Sequence, residues 1–273
     1  MKRGTALLLG AMLALASPAR AEDEDPSALF QGATKALAEG RAGEAIVRLE
    51  ALADRGVQDP VASFDRGLAY AMRGRTSAAQ PGDLGRAVHG FEEARDLTRD
   101  GRLEADAKRA LVALRQEIAR RRARAGESAE LAVGASLGRA LVELAAEETW
   151  AGLAAVAAVV LSVAIALRAR AEAARAKVAA NTTMAISALV LGATALLADA
   201  ARDARLHLRE AVVVAPGSRL LDARRVVVPG RDPLAEGARV RLVSEDAGFA
   251  HVQAGALDGW VSSNALLPLA KRR

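Results

Sequence analysis

The sequence predicts a multi-domain membrane protein: an all-α helical-repeat domain, an α-helical transmembrane hairpin and a small all-β barrel, in that order. Residues near the N-terminus recur with a period of 34; two uncharged apolar runs of 19 and 21 residues lie ten residues apart; and beyond residue 210 short β-branched runs alternate with Gly, Pro and Asp turns. Composition agrees with a largely helical chain, because 52% of residues are hydrophobic yet only 3% are aromatic. Ala, Leu and Val therefore supply most of the apolar bulk, and Ala and Leu are strong helix formers.

Residues 1–21 read as a signal peptide. Lys2 and Arg3 form a positive start, Thr5 to Ala16 an uncharged apolar run, and Ala19-Arg20-Ala21 a small-x-small cleavage site. Twelve helical residues reach only about 18 Å, short of the roughly 30 Å hydrocarbon core. The acidic run Glu22-Asp23-Glu24-Asp25 suits a mature N-terminus, and the segment behind it is expected to be exported whether or not cleavage occurs.

Residues 22–125 carry the repeat. Phe30 returns as Phe64, Gly40 as Gly74 and Arg41 as Arg75, each 34 residues on, the period of the tetratricopeptide (TPR) helical repeat. Small Ala33 aligns with Gly67, and Ala36 with Tyr70. Ala45, Leu49 and Leu52 correspond to Ala87, Phe91 and Ala94 at a constant offset of eight, which places an insertion at Arg75–Gly82. Gln80-Pro81-Gly82 supplies turn chemistry there. A third, degenerate unit with Leu103, Ala107, Ala110, Leu111, Leu114 and Ile118 on one face is expected to cap the array. Such arrays present a concave surface to peptides or helices. In this register Phe30, Thr34, Leu37, Phe64, Leu68 and Met72 form the expected partner-binding groove; packing of the two Phe residues between helices is the competing reading.

Residues 126–148 are Ala-rich and read as a helical connector, with Glu143 and Glu147 on one solvated face. The hairpin follows: a first span at 149–167, a loop at 168–177 and a second span at 178–198, then a linker at 199–209. Each span is long enough to cross a bilayer. Arg168, Arg170, Arg175 and Lys177 face a single acid, Glu172, within the loop, while the 15 residues before the first span hold one basic residue and three acids. Excess Lys and Arg marks the cytoplasmic side, so both large segments are expected outside, facing the periplasm from a bacterial inner membrane. Trp150 suits an interfacial anchor. Ala154, Ala158 and Ser162 on the first span, with Ala188 and Gly192 on the second, form small-residue stripes expected to pack within the hairpin or against another membrane protein. Neither span contains a charge, so a proton relay has no candidate group and the hairpin reads as an anchor.

The expected strands of the C-terminal module, 210–270, are Ala211–Val214, Val226–Val228, Arg239–Val243, Phe249–Val252 and Gly259–Val261. Glu236-Gly237-x-x-Val240, Phe249-x-x-Val252 and Asp258-Gly259-Trp260-Val261 before Ser262-Ser263-Asn264-Ala265-Leu266 resemble a bacterial SH3-like barrel. That resemblance implies binding of peptides or cell-wall material, with Phe249 and Trp260 as core or ligand face. An aromatic-lined groove for Pro-rich ligands is not offered by two aromatics.

Signal peptide, repeats, hairpin and SH3-like tail in this order resemble the BatE family of the Bat aerotolerance operons. The local likeness rests on Phe64-x-x-Gly67-x-x-Tyr70-x-x-x-Gly74, on Asp83-Leu84-Gly85-Arg86-Ala87-Val88 with Phe91-Glu92-Glu93-Ala94, and on the Gly-Trp-Val tail. The resemblance implies a non-enzymatic adaptor whose partners include von Willebrand A-domain membrane proteins and, indirectly, a MoxR-type ATPase, in envelope stress or assembly. The alternative is a cell-wall sensor whose SH3-like module binds peptidoglycan.

Other classes fare poorly. The chain has no cysteine, which removes disulfides, thiolate zinc sites and cysteine nucleophiles. His89, His207 and His251 fall in separate segments without metal-ligand spacing, and no phosphate loop or Gly-x-Ser-x-Gly elbow occurs. No cofactor is expected. The net charge of +5 comes from Arg scattered along helices, without interleaved stacking aromatics, so nucleic acid is not an expected partner. Arg120, Arg121, Arg122 and Arg124 read as cations at a helix C-terminus.

Overall fold

Helix boundaries follow local chemistry. Pro26 and Pro60 occupy the first turns of α1 (Pro26–Ala38) and α3 (Pro60–Arg73), where a missing N–H costs nothing. The Asp59 carboxylate caps α3 by accepting from the Val61 and Ala62 amides, and Asp100 caps α5 (Gly101–Arg124) from Arg102. Gly82, at φ +89°, closes the turn that leads into α4 (Asp83–Leu97). The computed structural model describes residues 25–127, 147–207, 209–255 and 257–270. The expected signal peptide at 1–21, and the connector from residue 128 to 146 with Glu143, lie outside these residues.

With α2 (Ala42–Asp54), these helices stack in sequence, each on its neighbours. Ala33, Ala36, Ala45, Leu49 and Leu52 fill the first seam; Tyr70, Ala87, Phe91, Leu111, Leu114 and Ile118 continue one core. The approach of α3 to α4 is set by two glycines. A Cβ on Gly90 would lie 2.6 Å from the Gly67 nitrogen and 2.7 Å from the Ser63 carbonyl oxygen.

Two long apolar helices follow, α6 (Glu147–Arg170) and α7 (Ala174–His207), joined by three residues and therefore antiparallel. Both are long and apolar enough to cross a membrane. Ala157 and Ala164 are buried along the seam, as are Ser187, Thr194 and Ala201, while Val156, Val163, Ile165, Ile186, Leu189 and Leu196 are exposed. The stretch expected as a linker, 199–209, is helical as far as His207, because its Ala- and Arg-rich sequence has no Gly or Pro to stop α7.

Five antiparallel strands form one sheet in the order β4-β3-β2-β1-β5: β1 (Arg209–Val213), β2 (Arg239–Asp246), β3 (Phe249–Ala254), β4 (Leu257–Ser262) and β5 (Leu266–Pro268). The sheet is not closed into a barrel. The expected strand at Val226–Val228 is also absent, with only one isolated bridge from Val227 to Leu221. Asp222 accepts from the Arg224 and Val226 amides and Arg225 sits at φ +64°, so the run leaves a tight turn, with Val226 and Val227 exposed. Along β3 and β4, Ala250, Val252 and Val261 enter the core, while Phe249, His251 and Trp260 occupy the other face.

Gly90→Ala is expected to lower the thermal unfolding midpoint, since overpacking against backbone costs about 1–3 kcal/mol. Gly43→Ala, whose Cβ meets nothing within 4 Å, should leave it unchanged; equal melting curves for the two variants would contradict the close approach.

Candidate functional site

Helix α4 contains four acids, two arginines and a histidine, yet eleven of its fifteen residues are buried. Small side chains explain how. Gly85, Ala87, Gly90 and Ala94 let neighbours close in on every side, so the polar residues between them are enclosed. A Cβ on Gly85 would stand 2.7 Å from the Val214 Cα and 2.8 Å from the Val213 carbonyl oxygen, which shows how closely the end of β1 lies on α4. Val212 belongs to the helical core, and Gly237 rests against Val88 and Ile118.

Glu92 is fully enclosed at this junction. It is paired with Arg95 of its own helix at 2.7 Å, with Arg115 of α5, and with Arg239 of β2 at 2.6 Å. Burial would push its carboxyl pKa up, but the Arg239, Arg95 and Arg115 charges outweigh it and hold Glu92 below the ordinary carboxylate range. Asp96 is lowered in the same way, with Arg239 the leading cation. Arg239 also engages Asp96 at 2.7 Å and Glu210 of β1. Burial opposes its charge, yet the three carboxylates hold its pKa above the ordinary value.

A second cluster lies two turns or less away. Glu93 accepts from the Ser63 hydroxyl at 2.8 Å, pairs with Arg66, and receives the Ala270 amide at 3.4 Å. His89 Nε2 lies 2.9 Å from the Pro268 carbonyl oxygen, so this nitrogen donates and carries the proton in neutral imidazole. Burial pushes the His89 pKa down; Glu93 opposes that and Arg66 adds to it. Two further bonds bridge the halves: the Gly85 amide donates to Glu236 at 2.7 Å, and Arg122 donates to the Pro233 carbonyl at 3.2 Å. Burial raises the Glu236 pKa, the Gly85 bond opposing it.

Chemically, this is a clamp. Glu92 and Glu93 are each held by arginine and enclosed, which suits cohesion between two bodies rather than proton transfer to a substrate. Among the described residues no group of three or more His, Cys, Asp or Glu could hold a metal ion.

The expected groove residues lie on α1 and α3. Phe30, Leu37 and Phe64 are half-buried and pack on the helical core, Phe64 meeting Phe91 with ring centroids 5.1 Å apart. Met72 is half-buried; Thr34 and Leu68 are exposed. In the hairpin, Ala154 and Ala158 are half-buried, whereas Ser162, Ala188 and Gly192 are exposed and a Cβ on Gly192 would touch nothing within 4 Å. The seam itself runs through Ala157, Ala164, Ser187 and Thr194. In the sheet, Arg225 lies 3.3 Å above the Trp260 ring and His251 stacks on that ring at 4.9 Å. The Phe249 ring centroid also lies 5.0 Å from the Arg225 guanidinium carbon. Glu92 entered the sequence reading only within the Phe91-Glu92-Glu93-Ala94 motif and Arg239 only as a strand residue; neither they nor Asp96 and Glu210 were expected at a site. The available sign was a run of acids on a helix studded with Gly and Ala; nothing in the sequence pairs them with Arg239.

No family model, curated protein or solved structure matches this chain.

Removing one partner from a buried charge cluster typically costs about 3–5 kcal/mol. Glu92→Ala should therefore lower the unfolding midpoint sharply and expose the sheet to limited proteolysis, with Glu245→Ala, an exposed pair with Arg209, as the near-silent control. Acidification should act through the same contacts. As pH falls below the ordinary histidine value of 6.5, the unfolded chain takes up a proton that buried His89 refuses, so stability falls. Glu92 and Asp96 add a loss of the same sign at lower pH, as pH falls through their depressed values. His89→Gln should flatten the melting temperature between pH 7 and 5; an unchanged slope would remove His89 from this account.

Proposed function

We propose that this chain is a non-enzymatic, membrane-anchored adaptor of the BatE type. Its TPR-like array binds protein partners, and its SH3-like tail serves as a structural brace. One observation supports this best: helices α1–α5 and the sheet, which flank the hairpin in sequence, are joined by the Glu92–Arg239 cluster. Two segments that pack on each other lie on one side of any bilayer that α6 and α7 cross. The result is a single enclosed body held at a membrane surface, which suits presentation of an array to neighbouring membrane proteins. Orientation toward the periplasm is inferred from the basic loop. The partners we infer are von Willebrand A-domain membrane proteins, with a MoxR-type ATPase engaged indirectly. The peptidoglycan-sensor alternative is less well supported, because the Trp260 ring is already occupied by Arg225 and His251.

Photo-crosslinking residues at exposed Thr34 and Leu68 should capture A-domain membrane proteins from intact cells. Retention of those partners after deletion of residues 26–125 would overturn the adaptor reading. The cysteine-free chain also allows single-site labelling. An impermeant maleimide should reach Val243→Cys, but not Ala173→Cys, in spheroplasts; the reverse would overturn the orientation.

A further inference from the structure

The hairpin contains a cleft of about 630 Å³ between α6 and α7 at its loop end, lined by Val160, Val163, Leu167 and Arg170 on one helix and Ala180 and Thr183 on the other. That volume falls within the roughly 300–1,000 Å³ of small-molecule sites. The α6 wall runs from Val159 to Arg170. Eleven helical steps make about 16 Å, close to half of a roughly 30 Å hydrocarbon core, the depth of one leaflet. The apolar wall therefore has the length of a single lipid chain.

Its end is cationic. Arg170 lines the cleft, and Arg175 and Lys177 flank the lining residue Ala176 in sequence. Arg168 is committed to Asn181, donating to its side-chain oxygen at 2.8 Å. Among the described residues no ion pair engages Arg170, Arg175 or Lys177, although Glu172 lies in the same loop. An apolar slot one leaflet deep, ending in unneutralised cations, matches a lipid with an apolar tail and an anionic head.

We propose that this cleft binds an anionic phospholipid of the leaflet nearest the loop, its acyl chain along Val160, Val163 and Leu167 and its headgroup phosphate at Arg170, Arg175 and Lys177. The site rests on the reading that the hairpin crosses the bilayer. It gives the anchor a lipid preference as well as a span.

The test uses the full chain in nanodiscs of equal phosphatidylglycerol and phosphatidylcholine, followed by native mass spectrometry of the lipid retained on release. Phosphatidylglycerol should be retained several-fold over phosphatidylcholine. The triple variant Arg170→Gln, Arg175→Gln, Lys177→Gln should bring the ratio to parity. Val163→Trp fills the slot at an exposed position without changing charge, and should reduce retention of both lipids. Helicity by circular dichroism verifies that each variant is folded. Equal retention by the parent chain, an unaltered preference in the folded triple variant, or unaltered retention in folded Val163→Trp overturns the site while leaving the anchor intact. Failure of the parent chain to enter nanodiscs overturns the anchor, and the site with it.

Discussion

A carboxylate cut off from water stays ionised only where cations surround it, and Glu92 meets that condition by drawing on three elements at once. Arg95 comes from its own helix, Arg115 from α5 and Arg239 from a strand that lies beyond the hairpin in sequence. The last of these joins the two ends of the chain. Without the sheet in place, α4 would expose Val88 beside an incompletely neutralised acid, and β1 would lose the helical core that receives Val212. Apolar packing supplies area here, but the charges decide register, because a guanidinium must meet its carboxylates within hydrogen-bonding distance.

The same junction constrains topology. The chain leaves the helical array, makes a two-helix apolar excursion and returns to pack on the array it left. Any bilayer that α6 and α7 cross is then crossed an even number of times, by contact alone and independently of loop charge. The excursion's outward side chains are large and apolar while its seam is Ala, Ser and Thr, an arrangement suited to a solvent of hydrocarbon tails. Small residues on α4 play the corresponding part in water, where they admit neighbours closely enough to seal polar groups inside.

Several elements were legible from residues alone. The α5 face of Ala107, Leu111, Leu114 and Ile118 is buried at the expected spacing. The apolar runs of the hairpin were plain from length and lack of charge. Where reasoning from sequence failed, a local conformation or a long-range contact prevailed. Val226–Val228 has strand composition, but the Asp222 turn and the left-handed Arg225 deny it a ladder. Residues 199–207 looked like a linker only because they follow a span; their composition carries the helix onward.

By itself, then, the sequence determined what depends on neighbours a few residues apart: helix periodicity, apolar length and the charge of the loop. Tertiary structure alone decided which acids are buried, which arginines answer them and that the sheet closes over α4 instead of closing on itself. Helical and strand periodicities are encoded within one turn or one pleat. The pairing of Glu92 with Arg239 spans 147 residues, and no local pattern encodes a partner at that distance.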